Sequence, residues 1–207
     1  MRQRLANAVI AERLLKLVKS ECKKHKVKLI IAKGPHGIDA GILVNGYFDP
    51  DAPSLLVATG KPVGKWMLTL AHEYCHMTQW VENCPAWQAD RKVTDCVFND
   101  WVAKPKLTKR RAKQVATVVM RTELDCERRA AKLLARLGYD KVDEYIQKAN
   151  AYTMFYWYVA KHRKWYKLRK EPYHMKKVWS NFPTTFEFNR TQAFKRLEHL
   201  YDFCVEL

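Results

Sequence analysis

Along the first two dozen positions Val9, Leu14, Leu15 and Val18 alternate with charged residues at a helical period, which predicts an amphipathic helix over residues 3–24. VKLIIA (27–32) is a short apolar run of strand length. GILV and YFD then flank Asn45-Gly46, and Asn-Gly between apolar runs predicts a tight hairpin there. SLLVAT (54–59) adds another strand, so residues 27–59 read as a small twisted sheet, mostly antiparallel. Six of the seven glycines and four of the eight prolines lie in 34–64, where the chain must turn most often.

After Pro62 the period lengthens. Trp66, Leu70 and Tyr74, with Leu68, Ala71 and Cys75 offset, predict a helix over 64–82 that Cys84-Pro85 ends. Residues 86–103 are helical but weakly patterned. Val115, Val119, Thr122, Cys126, Ala130, Leu133 and Leu137 recur in steps of three and four across 108–138, the clearest helix, and Gly138 supplies its cap. Further helices are expected over 141–165, 172–180 and 189–203. The expected fold class is α+β: one mainly helical domain over 1–207, with a small N-terminal antiparallel sheet and a C-terminal helical extension. Residues 1–103 hold the sheet and the 64–82 helix, and 104–207 form the helical part.

Composition narrows the setting. Hydrophobic residues make up 48% of the 207, which excludes a disordered chain. No apolar run reaches the length of a membrane span, so no membrane partner is expected. The N-terminal helix is interrupted by Arg4, Glu12, Arg13 and Lys16 and is no signal peptide. The six cysteines show no CxxC pair, which points to reduced, buried thiols and a cytoplasmic setting. The net charge is +17, and the segment from Lys104 to Val178 alone holds 21 Lys/Arg against 7 Asp/Glu. Such a field attracts nucleic acid non-specifically. The aromatic stretch Tyr152 to Tyr158 has the spacing of a core face and is read as core before it is read as a base-stacking surface.

The residues that carry chemistry are His72-Glu73-Tyr74-Cys75-His76. On a helix, positions i and i+4 share a face, so two imidazoles reach one Zn²⁺ while Glu73 stands to act as general base on a zinc-bound water. A catalytic zinc needs a third protein ligand and an open position. Glu82 has metzincin spacing, but Gln79 stands where that turn needs glycine. Glu123, at the edge of the apolar stripe of the 108–138 helix, is the better candidate. A carboxylate aimed into a core is costly unless it is paired or metal-bound. Glu127, one turn on, is placed to accept a hydrogen bond from a ligating imidazole.

His72-Glu73-x-x-His76 followed by Glu123-x-x-x-Glu127-x-x-Ala130-Ala131 resembles the gluzincin pattern of zinc metallopeptidases. In minimal gluzincins the second motif carries Asp or Asn where this chain has Glu127. The order of hairpin, strand, HExxH helix and later Glu helix, and the run NAYTMFYWYVAKHRKWYK, are similar to phage-encoded proteins classed as metallopeptidases. The resemblance implies a zincin-like domain in the host cytoplasm, a peptide or protein substrate, and Glu123 as zinc ligand. It also implies that SLLVAT is the edge strand that pairs with substrate. The oxyanion donor falls among Tyr152, Tyr156, Tyr158, His162 and His174. The alternative is a basic nucleic-acid-binding or virion-associated protein whose HExxH is not catalytic.

Overall fold

The structure, a computed structural model, describes residues 2–39, 41–94, 108–167 and 169–205. They are mainly helical with a small N-terminal sheet and a C-terminal helical extension. In chain order the elements are α1 (Arg2–Lys24), β1 (Lys28–Ala32), β2 (Gly37–Asp39), β3 (Ile42–Val44), β4 (Gly46–Asp49), β5 (Ser54–Ala58), α2 (Val63–Glu82) and α3 (Pro85–Thr94). Then follow α4 (Lys109–Arg136), α5 (Val142–His162), α6 (Lys176–Trp179), α7 (Arg190–Leu197), a 3₁₀ turn (Glu198–Tyr201) and α8 (Asp202–Val205). The last part of the helical reading for 86–103, together with Cys96, lies outside the described residues. No helix among the described residues is long and apolar enough to cross a membrane.

The chain groups into two compact units, Met1–Cys84 with Arg129–Asp140, and Pro85–Arg128 with Lys141–Leu207. In the first, β5 is the central strand of a three-stranded mixed sheet, parallel to β1 and antiparallel to β4. All of its residues are buried, as expected for an apolar strand paired on both sides. SLLVAT is therefore not an edge strand, which corrects that expectation. The edges of this sheet are β1 and β4.

The Asn45-Gly46 hairpin also requires correction. β3 pairs with β2, with Gly41 at φ +82 between them, while β4 pairs with β5. Asn45 is a bend between β3 and β4 whose carbonyl accepts from the Ala58 amide at 2.9 Å, so the two strands it joins do not pair with each other as a hairpin. Glycine at 46 answers a close approach instead. A Cβ there would lie 2.8 Å from the Leu56 carbonyl oxygen, 2.8 Å from Thr69 Cγ2 and 3.0 Å from Glu73 Cγ. Turn chemistry and close packing both select glycine, and the local pattern does not separate them.

Helix α2 is held between this sheet and α1. Its core face is Met67, Leu70, Ala71, Cys75 and Met77, and α1 contributes the fully buried Leu14 and Val18. Cys22 Sγ meets Met77 Sδ at 3.8 Å. The chain leaves α2 through Asn83 in the left-handed region, and Pro85 opens α3.

The second unit is built on α5. Phe155 is fully buried against Tyr158, Trp165, Tyr166 and Tyr201, with ring centroids 5.3–5.6 Å apart. Asn150 is fully buried without strain, because its amide nitrogen donates to the carbonyls of Pro183 and Thr185, each at 2.9 Å. The Tyr201 hydroxyl donates to the Ala151 carbonyl at 2.7 Å and ties the C-terminal extension to the helix.

Candidate metal centre

His72, Glu73 and His76 project from α2 at the border of its buried face, each half-buried. The two Nε2 atoms stand 3.1 Å apart, with ring planes at 87°. Two nitrogens bound at about 2.05 Å to a tetrahedral ion stand about 3.3 Å apart, so the pair nearly spans one edge of such a site. His76 Nδ1 lies 2.9 Å from Gln79 Oε1, and the Gln79 side chain is fully buried. With Nδ1–H donating to that oxygen, neutral His76 carries its lone pair on Nε2, the tautomer a metal requires. Glu73 leaves the helix beside Gly46 of β4, where the missing side chain makes room for it.

Helix α4 carries Cys126, whose thiol is fully buried. The two imidazole nitrogens of α2 are borderline donors, suited to zinc among divalent ions. Sequence reasoning missed Gln79. Cys126 lies on the apolar stripe, where a thiol counts as a small hydrophobe. Gln79 entered only as the residue that argues against a metzincin turn.

Glu123 is half-buried on α4 and acts electrostatically on Tyr152 and Tyr156. Burial first, and then the Glu123 carboxylate, hold both hydroxyls well above the ordinary tyrosine range, so both are protonated donors at neutral pH. The two hydroxyls lie 2.8 Å apart. The remaining oxyanion candidates are engaged elsewhere. Tyr158 donates to Asp202 at 2.7 Å, His162 stacks on Tyr158, and His174 Nδ1 lies 3.0 Å from Glu171. Glu127 is buried and accepts a hydrogen bond from the Tyr145 hydroxyl. Glu82 is more than half exposed and forms a 2.7 Å ion pair with Arg129.

Compared with protein-family models, curated proteins and solved structures, the chain matches none of them. The functional reading therefore stands on the site itself.

Proposed function

We propose that the chain is a gluzincin-like zinc metallopeptidase that hydrolyses peptide bonds in a peptide or protein substrate. The observation that carries this reading is the His72–His76 pair, with facing Nε2 atoms 3.1 Å apart and Glu73 between them in sequence. In this reading His72 and His76 hold Zn²⁺, and α4 supplies the third ligand through Glu123. When bound there, zinc would supply Lewis acidity and a coordinated water with its pKa lowered to about 7.

Glu73 takes the proton of the attacking water on its carboxylate and delivers it to the leaving amine. The Tyr152–Tyr156 pair, protonated at neutral pH, donates to the developing oxyanion. Glu127 orients the ligand set through its hydrogen bonds. An extended substrate pairs along β4, an edge of the sheet and the strand beside Glu73.

The test is metal analysis of protein purified without chelator or affinity metal, followed by cleavage of a peptide library. About one zinc per chain is expected, and it should be lost in His72→Ala together with activity. Glu123→Gln should weaken zinc binding while Cys126→Ala keeps it. The opposite result assigns the third position to the thiol and removes the gluzincin reading while metal binding survives. No stoichiometric transition metal in the wild type ends both.

A further inference from the structure

Residues 161–177 hold eight Lys/Arg and one acidic residue. That acid, Glu171, is turned inward: it is buried, meets His174 Nδ1 at 3.0 Å and accepts from the Arg169 amide at 3.4 Å. Lys161 is neutralised by Glu198 at 2.8 Å. Lys164, Lys167, Arg169, Lys176 and Lys177 are exposed.

These charges sit on a fixed support. The Lys167 amide donates to the Cys204 carbonyl at 3.0 Å, and Cys204 Sγ meets Met175 Sδ at 3.8 Å. Lys170 and Lys177 both act on the Cys204 thiol, against the burial that pushes it up to about 12. The segment and α8 therefore converge at Cys204. Next to Cys204 is Phe203, 42% exposed and the one exposed Phe, Tyr or Trp side chain among the described residues. The Lys177 ammonium stands 3.4 Å from its ring centroid. Every other described Phe, Tyr and Trp side chain is at least partly packed away, so an exposed ring with a cation at its face is the exception that asks for an occupant.

We propose that Phe203, with Lys177 at its ring and the exposed Lys167, Arg169 and Lys176 of the same 161–177 segment, forms a binding surface for single-stranded nucleic acid, with the ring stacking on a base and the cations meeting phosphates. Charge complementarity selects a polyanion. An accessible ring with a cation at its face matches an unpaired base, which a duplex keeps stacked inside. One phenyl ring offers too little apolar area to hold a membrane surface, where a whole apolar helix face is the norm. The surface needs no metal and uses none of the residues of the peptidase reading, so it does not rest on that reading.

The experiment is fluorescence anisotropy of the full-length chain with labelled oligo-dT of about 20 nucleotides, from about 50 to 300 mM salt. Tight binding at low salt is expected, weakening with salt by about 0.7 log units per log unit of salt for each phosphate neutralised. Phe203→Ala should weaken binding about 5- to 100-fold with an unchanged salt slope, because stacking is not an ion exchange. Lys167→Gln/Lys176→Gln/Lys177→Gln should flatten the slope by about 2. All these side chains are exposed, so matched melting temperatures establish that the variants fold. No binding at about 50 mM salt overturns the proposal. So does equal affinity for duplex with no effect of Phe203→Ala, which reduces the surface to bare charge. Phe203-dependent binding to vesicles containing about 30% phosphatidylserine that oligo-dT fails to displace transfers the surface to a membrane and also overturns it.

Discussion

On α2 the side chains that could do chemistry stand at the border of the core: His72, Glu73 and His76 are half-buried while Met67, Leu70, Ala71, Cys75 and Met77 fill the interior. On α5 the conspicuous side chains are the interior. Phe155, Tyr156 and Tyr158 are nearly inaccessible, and the lysines that alternate with aromatics further along the sequence do not share their surface. Both segments look like motifs when read as letters. They differ in where the helical period puts the letters. Polar ligands gathered at the margin of an apolar stripe can meet a small ion, whereas aromatics on the stripe itself are consumed by packing. The exposed ring of the second unit is Phe203, well outside the aromatic run.

The sharpest way to break this contrast is Glu73→Gln. If α2 carries chemistry, peptide hydrolysis should fall about 10²- to 10⁴-fold, the usual worth of a general base. Zinc content and melting temperature should stay as in the wild type, because neither a ligand nor a core group is removed. Wild-type turnover by Glu73→Gln on a cleaved peptide would sink the mechanism.

Phe155→Ala asks the converse question of α5. Phe155 is fully buried among four aromatic rings, and deleting such a side chain costs about 3–5 kcal/mol. Urea unfolding should show the loss as a lower midpoint. A loss below about 1 kcal/mol would mean that the aromatic run is not the core of the second unit.

The same contrast accounts for what could be read before the fold was known. Helices α1, α2, α4 and α5 were legible within a few residues, because periodicity over twenty positions is a strong signal. Strand pairing was less so. Asn45-Gly46 satisfies hairpin chemistry locally, yet the position of Gly46 is decided by Glu73 and Thr69 packing across it from α2, a contact between residues more than twenty positions apart. The central place of β5 is likewise a property of its two partners. At the site, the i,i+4 histidines were legible because their spacing is intrahelical. Gln79 was not, because the letter alone does not show that its side chain is buried and faces His76 Nδ1.

Gln79→Met tests that missed layer with a smaller effect. Methionine keeps the buried volume and removes the acceptor that faces His76 Nδ1. Metal affinity should weaken about 10- to 100-fold, measured by competition with a chromogenic chelator. Unchanged affinity would show that His76 does not depend on Gln79 for its tautomer.

The smallest effect belongs to Glu82, the competing third ligand of the sequence reading. In the structure its carboxylate meets Arg129 at 2.7 Å, with Thr78 3.4 Å from the same guanidinium nitrogen. Glu82 is 55% exposed, so the pair is strongly screened by solvent and contributes at most about 0.2–1 kcal/mol, less at high salt. Glu82→Gln should therefore lower stability by no more than that amount, and the difference should shrink as salt is raised. Zinc stoichiometry and turnover should match the wild type, since the group that holds Glu82 is a guanidinium and not a metal. Loss of zinc in Glu82→Gln would reverse the assignment. It would move the third ligand from α4 to the end of α2, place all three ligands on one helix and its exit, and make the ion pair with Arg129 a feature of the metal-free state alone.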